Sequence, residues 1–230
     1  VSETGDFVSR SKSSINVNHG FEFDIFFDGI SKNYIDRRKI SSKIEEKIIM
    51  LSYVYDLDEI TMQKVFMDSV DNDRNVNLEK LSKSAAYWNS VIHSKKETDE
   101  YEEIEVTFEN IKQICMTYSP IDCIGFATGH RPSKSEMKTI EKVVSEFDYK
   151  KEILNYFLLY SMNQSNNHLL PHFNFIESIY VSMKRDKVKT FEDAFNFTTN
   201  YQTKSDQKAE KKAKSKNYEP DWLEDVMKEL

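Results

Sequence analysis

Phe173-Asn-Phe-Ile-Glu-Ser-Ile-Tyr-Val-Ser-Met-Lys-Arg-Asp-Lys-Val-Lys-Thr190 is the stretch whose reading decides the fold. Phe175, Ile179 and Met183 fall at i, i+4 and i+8, and Ile176 and Tyr180 widen this stripe into a core-facing helix face. Within one turn the stripe gives way to Lys184, Arg185, Lys187 and Lys189. A helix that buries one face therefore runs into a basic end.

The same apolar spacing recurs along the chain. With 230 residues, 39% hydrophobic and 31% charged, there is material for one large domain or two of about 100 residues each, and two is the expectation. Five Gly and four Pro are few turn-makers for a sheet-rich fold, so the predicted class is all-α. The formal charge of -7 argues against a uniformly basic nucleic-acid coat. Val1 to His130 carries 15 Lys+Arg against 23 Asp+Glu, whereas Arg131 to Leu230 carries 17 against 16. Any polyanion contact belongs in the second half. Cys115 and Cys123 cannot build a disulfide framework and lack zinc spacing, so free thiols are expected. The apolar runs near Ile48 to Tyr55 and Ile153 to Tyr160 fall short of the roughly 20 residues of a membrane span, and no signal peptide is evident. A soluble, cytoplasmic protein is expected. The chain starts without Met in a Ser-rich stretch, as expected of a fragment preceded by another domain.

In chain order, residues 1–20 read as a flexible lead-in. Phe21 to Ile30 fits a helix slightly better than a strand, because no partner strand is evident. Ser41 or Ser42 with Glu45 has the pattern of a capping box opening a helix through Ile44, Ile48, Leu51 and Tyr55. Two further helices carry Ile60, Met62, Val65, Phe66 and Val70, then Leu78, Leu81, Ala85 and Trp88. The acidic run at 94–110 reads as a linker, with structure resuming near Ile111. Beyond the turn Gly129-His-Arg-Pro132, Ser133 and Glu136 form a second capping-box pattern. Helices follow through Ile140, Val143 and Val144, through Ile153 to Met162, from Leu169 to Met183, and from a Thr190 cap through Phe191, Ala194, Phe195 and Phe197. The tail, 204–230, is Lys-rich and ends in a short amphipathic segment suited to docking in a groove.

A shift of 92 residues brings Tyr55 onto Phe147, Met62 onto Leu154, Val65-Phe66 onto Phe157-Leu158, and Ser69 onto Ser161. The architecture predicted from this is two tandem, structurally similar helical-bundle domains, 21–93 and 111–203. Only the second has the basic cluster behind its third helix.

No motif points to catalysis or a metal. Asp71-x-Asp73-x-Asn75 begins like a calcium loop, but Val76 stands where the turn needs Gly and Ser82 where a bidentate Glu is needed. His168 and His172 have i, i+4 spacing but no third ligand nearby, and Pro171 lies between them. Gly125 to Gly129 lacks the Gly-Lys-Ser/Thr of a phosphate loop. No cofactor is expected and the chain reads as a non-enzyme.

The opening stretch resembles the DnaD/DnaB-like replication-initiation family of low-GC Gram-positive bacteria, in which Tyr-x-x-x-Ile-x-x-x-Trp precedes a basic segment and a Thr-led helix. Ile179, the run Lys184 to Lys189 and Thr190 match, while Phe175 and Met183 replace the Tyr and the Trp. The resemblance covers about residues 21–200, and two copies are similar to the helicase-loading branch of the family. It implies DNA binding through Lys184, Arg185, Lys187, Lys189, Phe175, Ile179 and Met183, to single-stranded DNA first and double-stranded DNA second. It further implies contact with DnaD, a helicase-loader ATPase and the replicative helicase, self-assembly with a tetramer as the suspected form, and peripheral association of the complex with the membrane. Without Tyr and Trp the best stacking platforms are gone, each worth about 1–3 kcal/mol where a base stacks, so contact rests on the cations with phosphate. The competing expectation is an oligomerisation and protein-docking scaffold whose basic patch meets an acidic partner.

Overall fold

The computed structural model describes residues 20–31, 34–93, 107–165 and 169–199. The expectations for the lead-in before Gly20, for 94–106 of the linker and for the tail at 204–230 lie outside the described residues. The fold is all-α. Its helices are α1 (Phe23–Asp28), α2 (Ser42–Tyr55), α3 (Glu59–Ser69), α4 (Leu78–His93), α5 (Phe108–Thr117), α6 (Pro120–Thr128), α7 (Lys134–Glu146), α8 (Lys151–Asn163) and α9 (Phe173–Arg185), then α10 over 191–199. A 3-10 turn, Arg37–Lys39, precedes α2. Among the described residues the sole extended pairing is one bridge, Val70 to Val76, closing the α3–α4 loop.

Helix starts follow local chemistry. Asp58 accepts from Thr61 N at 2.7 Å to open α3, and Thr107 accepts from Asn110 N at 3.2 Å to open α5, three residues before the expected start. Ser133 and Glu136 form the full capping box of α7. Ser41 caps α2 without a side-chain bond, so the box expected with Glu45 does not form. α9 starts at Phe173 rather than Leu169, because Pro171 drives Leu170 out of the helical region; the His172 carbonyl accepts the first helical bond, from Phe175 N at 3.0 Å.

The chain divides into two compact units, Val1–Val181 and Ser182–Leu230. In the first, the stripes read from the sequence are buried: Ile48, Leu51 and Tyr55 of α2, Met62, Val65 and Phe66 of α3, Leu81 and Ala85 of α4, Ile140, Val143 and Val144 of α7, and Ile153, Leu154, Phe157 and Leu158 of α8. Each large side chain so buried contributes about 1.5–3 kcal/mol. α3 packs on α4, α5 on α8, and α2 on α4, α6 and α7.

Helices from before and after 94–106 are joined by polar side chains. Glu141 on α7 accepts from Lys47 Nζ at 2.8 Å, Tyr55 OH at 2.8 Å and Ser82 Oγ at 3.0 Å. Tyr53 OH donates to Asn155 Oδ1 at 3.0 Å, and Asn155 Nδ2 donates to the carbonyls of Cys115 and Tyr118, both at 2.9 Å. Burial, and then the Glu141 charge, push the Tyr55 phenol far up. Cys115 and Cys123 are free and buried, and burial pushes the Cys115 thiol up to about 12.

Two pairs of helix starts repeat at the 92-residue spacing, an agreement of bounds that does not itself make two tandem domains. α2 and α7 open at Ser42 and Lys134, and α3 and α8 at Glu59 and Lys151. Burial follows it too, with Ile48 and Ile140, Met62 and Leu154, Phe66 and Leu158, and Ser69 and Ser161 all enclosed. α4 and α9 end in register, but α9 starts late, behind Pro171.

Candidate nucleic-acid interface

α9 presents a narrower buried face than its sequence predicts. Ile176, Ile179 and Met183 are enclosed, at 0%, 5% and 1% exposure, whereas Phe175 is 45% exposed. Phe175 is therefore not a core residue. At 3.6 residues per turn each i+4 step overshoots by about 40°. Two steps carry Phe175 roughly 80° from Met183, off a face centred on Ile176 and Met183. Tyr180 lies flat on Phe147, with centroids 4.0 Å and planes 6° apart, and its hydroxyl accepts from Asp148 N at 3.3 Å. Lys142 of α7 sets its ammonium 3.7 Å above the Phe173 ring.

The second unit begins within the last turn of α9. There Val188 N donates to Met183 O at 3.1 Å and Lys187 N to Lys184 O at 3.2 Å, with Lys187 in the left-handed region at φ +58°. This pair of bonds is a Schellman cap, with a lysine where glycine is usual. Val188, like Met183, is buried, while Lys184, Arg185, Lys187 and Lys189 are exposed. Lys184 and Arg185 complement the negative end of the α9 dipole. Lys187 and Lys189 lie past the helix end and serve no such need.

The next cap is self-contained. Asp193 accepts from Lys189 N at 3.1 Å and Thr190 N at 2.9 Å, and Thr190 Oγ1 accepts from Asp193 N at 3.1 Å. Those backbone bonds hold the Asp193 carboxyl below the ordinary 3.8. The Thr190 start of α10 is as read from the sequence. Because the protein's own carboxylate takes these amides, an incoming anion must be met by side chains. Asp186, Glu192 and Asp193 leave 182–199 with a small positive balance, concentrated in 184–189.

Of the seven residues tied to DNA by the family motif, the four cations gather on one helix end and its turn. Ile179 and Met183 offer almost no surface, and Phe175 offers a ring face near the other end of α9. The charge reading overlooks Lys134, Lys138 and Lys142, exposed on α7, although their i, i+4, i+8 spacing is visible in the sequence. Among the described residues no group of three or more His, Cys, Asp or Glu could hold a metal. Asp71 Oδ1 instead accepts from Asp73 N at 3.0 Å and Asn75 N at 2.8 Å within its own loop. His168 lies outside the described residues, and His172 is exposed.

Residues 127–197 match a family model described as replication initiation and membrane attachment. Among solved structures, the crystal structure of residues 1–300 of the primosome protein DnaB from Geobacillus stearothermophilus is 29% identical over 33% of this chain, with a TM-score of 0.31. The match spans 29% of that protein's chain. No described helix is long and apolar enough to cross a membrane. The matched segment, 127–197, about a third of the chain, runs from the end of α6 into α10, contains the whole basic turn, and is similar there to a family of replication-initiation proteins.

Proposed function

We propose that this protein is a non-enzymatic primosome component that binds single-stranded DNA through Lys184, Arg185, Lys187 and Lys189 and helps bring the replicative helicase to the origin. The match of residues 127–197 to a replication-initiation family supports the role in replication initiation; the DNA contact and the helicase-loading step are our reading. The observation that carries it is the basic turn. Four exposed cations crowd into six residues at the cap of α9, and the side chains of two of them, Lys187 and Lys189, lie past the helix end, where the dipole does not call for them. Self-assembly and contacts with other primosome proteins belong to the same proposal.

Titration of a labelled oligothymidylate by fluorescence anisotropy across 50–200 mM salt tests it. Wild type is expected to weaken steadily with salt, with a log–log slope of about -0.7 per phosphate contact. Replacing all four cations with Ala should flatten that slope by about 3. Wild type that ignores the oligonucleotide at low salt, or a folded quadruple variant that binds as wild type does, removes the DNA reading and favours docking to an acidic protein.

A further inference from the structure

The outward face of α7 carries a row of three cations, of which, among the described residues, only Lys142 meets a partner ring, Phe173. Lys134, Lys138 and Lys142 are all exposed, and at 1.5 Å rise per residue they stand about 6 Å apart along the helix axis. A sugar-phosphate backbone can follow such a row. Lys134 sits in the first turn of α7, where the positive end of the helix dipole opposes a cation. It is therefore not there to stabilise the helix. At the matching positions of α2 the chain has Ser42, Glu46 and Met50, so the 92-residue pattern does not impose the row either.

Acidic neighbours leave the row largely uncancelled. Glu146 approaches Lys142 only to 3.9 Å, with both side chains about half exposed, a geometry worth little in water. Glu79 of α4 feels Lys138, but its carboxylate is engaged by Lys83 at 2.7 Å. The residues flanking the row, Ser135, Ser145 and Glu146, are polar and exposed. An apolar wedge of the kind that enters a lipid interface is absent from this face among the described residues. Two contacts tie the segment around the start of α9 to α7: Lys142 over the Phe173 ring at 3.7 Å and Leu170 N donating to Glu136 Oε1 at 3.0 Å.

We propose that Lys134, Lys138 and Lys142 form a second phosphate-contact row for single-stranded DNA, on the first unit. The proposal deepens the DNA-binding reading and rests on it.

The test repeats the oligothymidylate titration with K134Q/K138Q/K142Q, with K134R/K138R/K142R, and with the same chains on phosphatidylglycerol vesicles. Glutamine keeps helix propensity, and far-UV circular dichroism checks the fold. The expected result is a salt slope shallower by about 2 in the glutamine variant, at about 0.7 per lost contact, and wild-type behaviour in the arginine variant. K138Q alone, with slope reduced by about 0.7, covers a triple variant that fails to fold. A glutamine variant that keeps the wild-type slope overturns this row and leaves the basic turn standing. Loss of vesicle binding with unchanged DNA binding overturns it in favour of a lipid surface. No DNA binding by wild type removes both readings together.

Discussion

Replacing Glu141 with Ala tests whether helices from the two sides of 94–106 share one energetic unit. The carboxylate is 12% exposed and its partner Lys47 24%, and it also accepts from Tyr55 OH and Ser82 Oγ. Hydrogen bonds to a charged group contribute about 1.5–3 kcal/mol each, and breaking a buried ion pair costs about 3–5 kcal/mol. These overlap, because they share one acceptor. Lys47 also regains some water when released. The expected loss is therefore about 3 kcal/mol, with the unpaired Tyr55 hydroxyl contributing most, since that residue is only 1% exposed. In urea, with a slope of about 2 kcal/mol per M, the midpoint should fall by about 1.5 M. A second variant, K47M/E141L, should recover part of this by removing both charges. A midpoint shift in E141A below about 0.3 M at unchanged slope, as at an ordinary surface position, would refute the reasoning.

Two further outcomes follow from local geometry. Lys187 holds φ +58° without being glycine, so Lys187→Gly should raise stability by about 0.5–1 kcal/mol in chemical denaturation, while lowering the DNA salt slope by about 0.7 if Lys187 meets a phosphate. Burial raises the Cys115 thiol to about 12 and, joined by the Cys115 and Asp122 charges, raises Cys123 as well. In native protein both thiols should stay protonated and resist iodoacetamide from pH 7 to 9, then react on unfolding, as read by mass spectrometry; rapid native alkylation at pH 8 would contradict the burial.

What the sequence made legible were the features set by neighbours in the chain. Ser133 with Glu136 and Thr190 ahead of α10 act as caps where the pattern places them. Most positions of the apolar stripes of α2, α3, α7 and α8 are buried as their spacing predicts, but Ile60 at the start of α3 is 60% exposed. Phe175 was misplaced because i+4 counting ignores the drift of the stripe around the helix, and the Leu169 start because Pro171 constrains its predecessor. The Glu141 hub was out of reach for another reason. Lys47, Tyr55 and Ser82 are 94, 86 and 59 residues from it, and nothing local marks a carboxylate that will be enclosed by three helices. For the site, the cations were legible as a cluster, but their mounting on a left-handed lysine required coordinates.

The cap at Thr190 separates inheritance of the turn from inheritance of its affinity. Its amides are occupied by Asp193, so backbone geometry there is fixed whether or not an anion ever visits. None of the four neighbouring cationic side chains makes one of those bonds. Over evolutionary time the turn can persist while its grip on a polyanion is strengthened, weakened or abandoned.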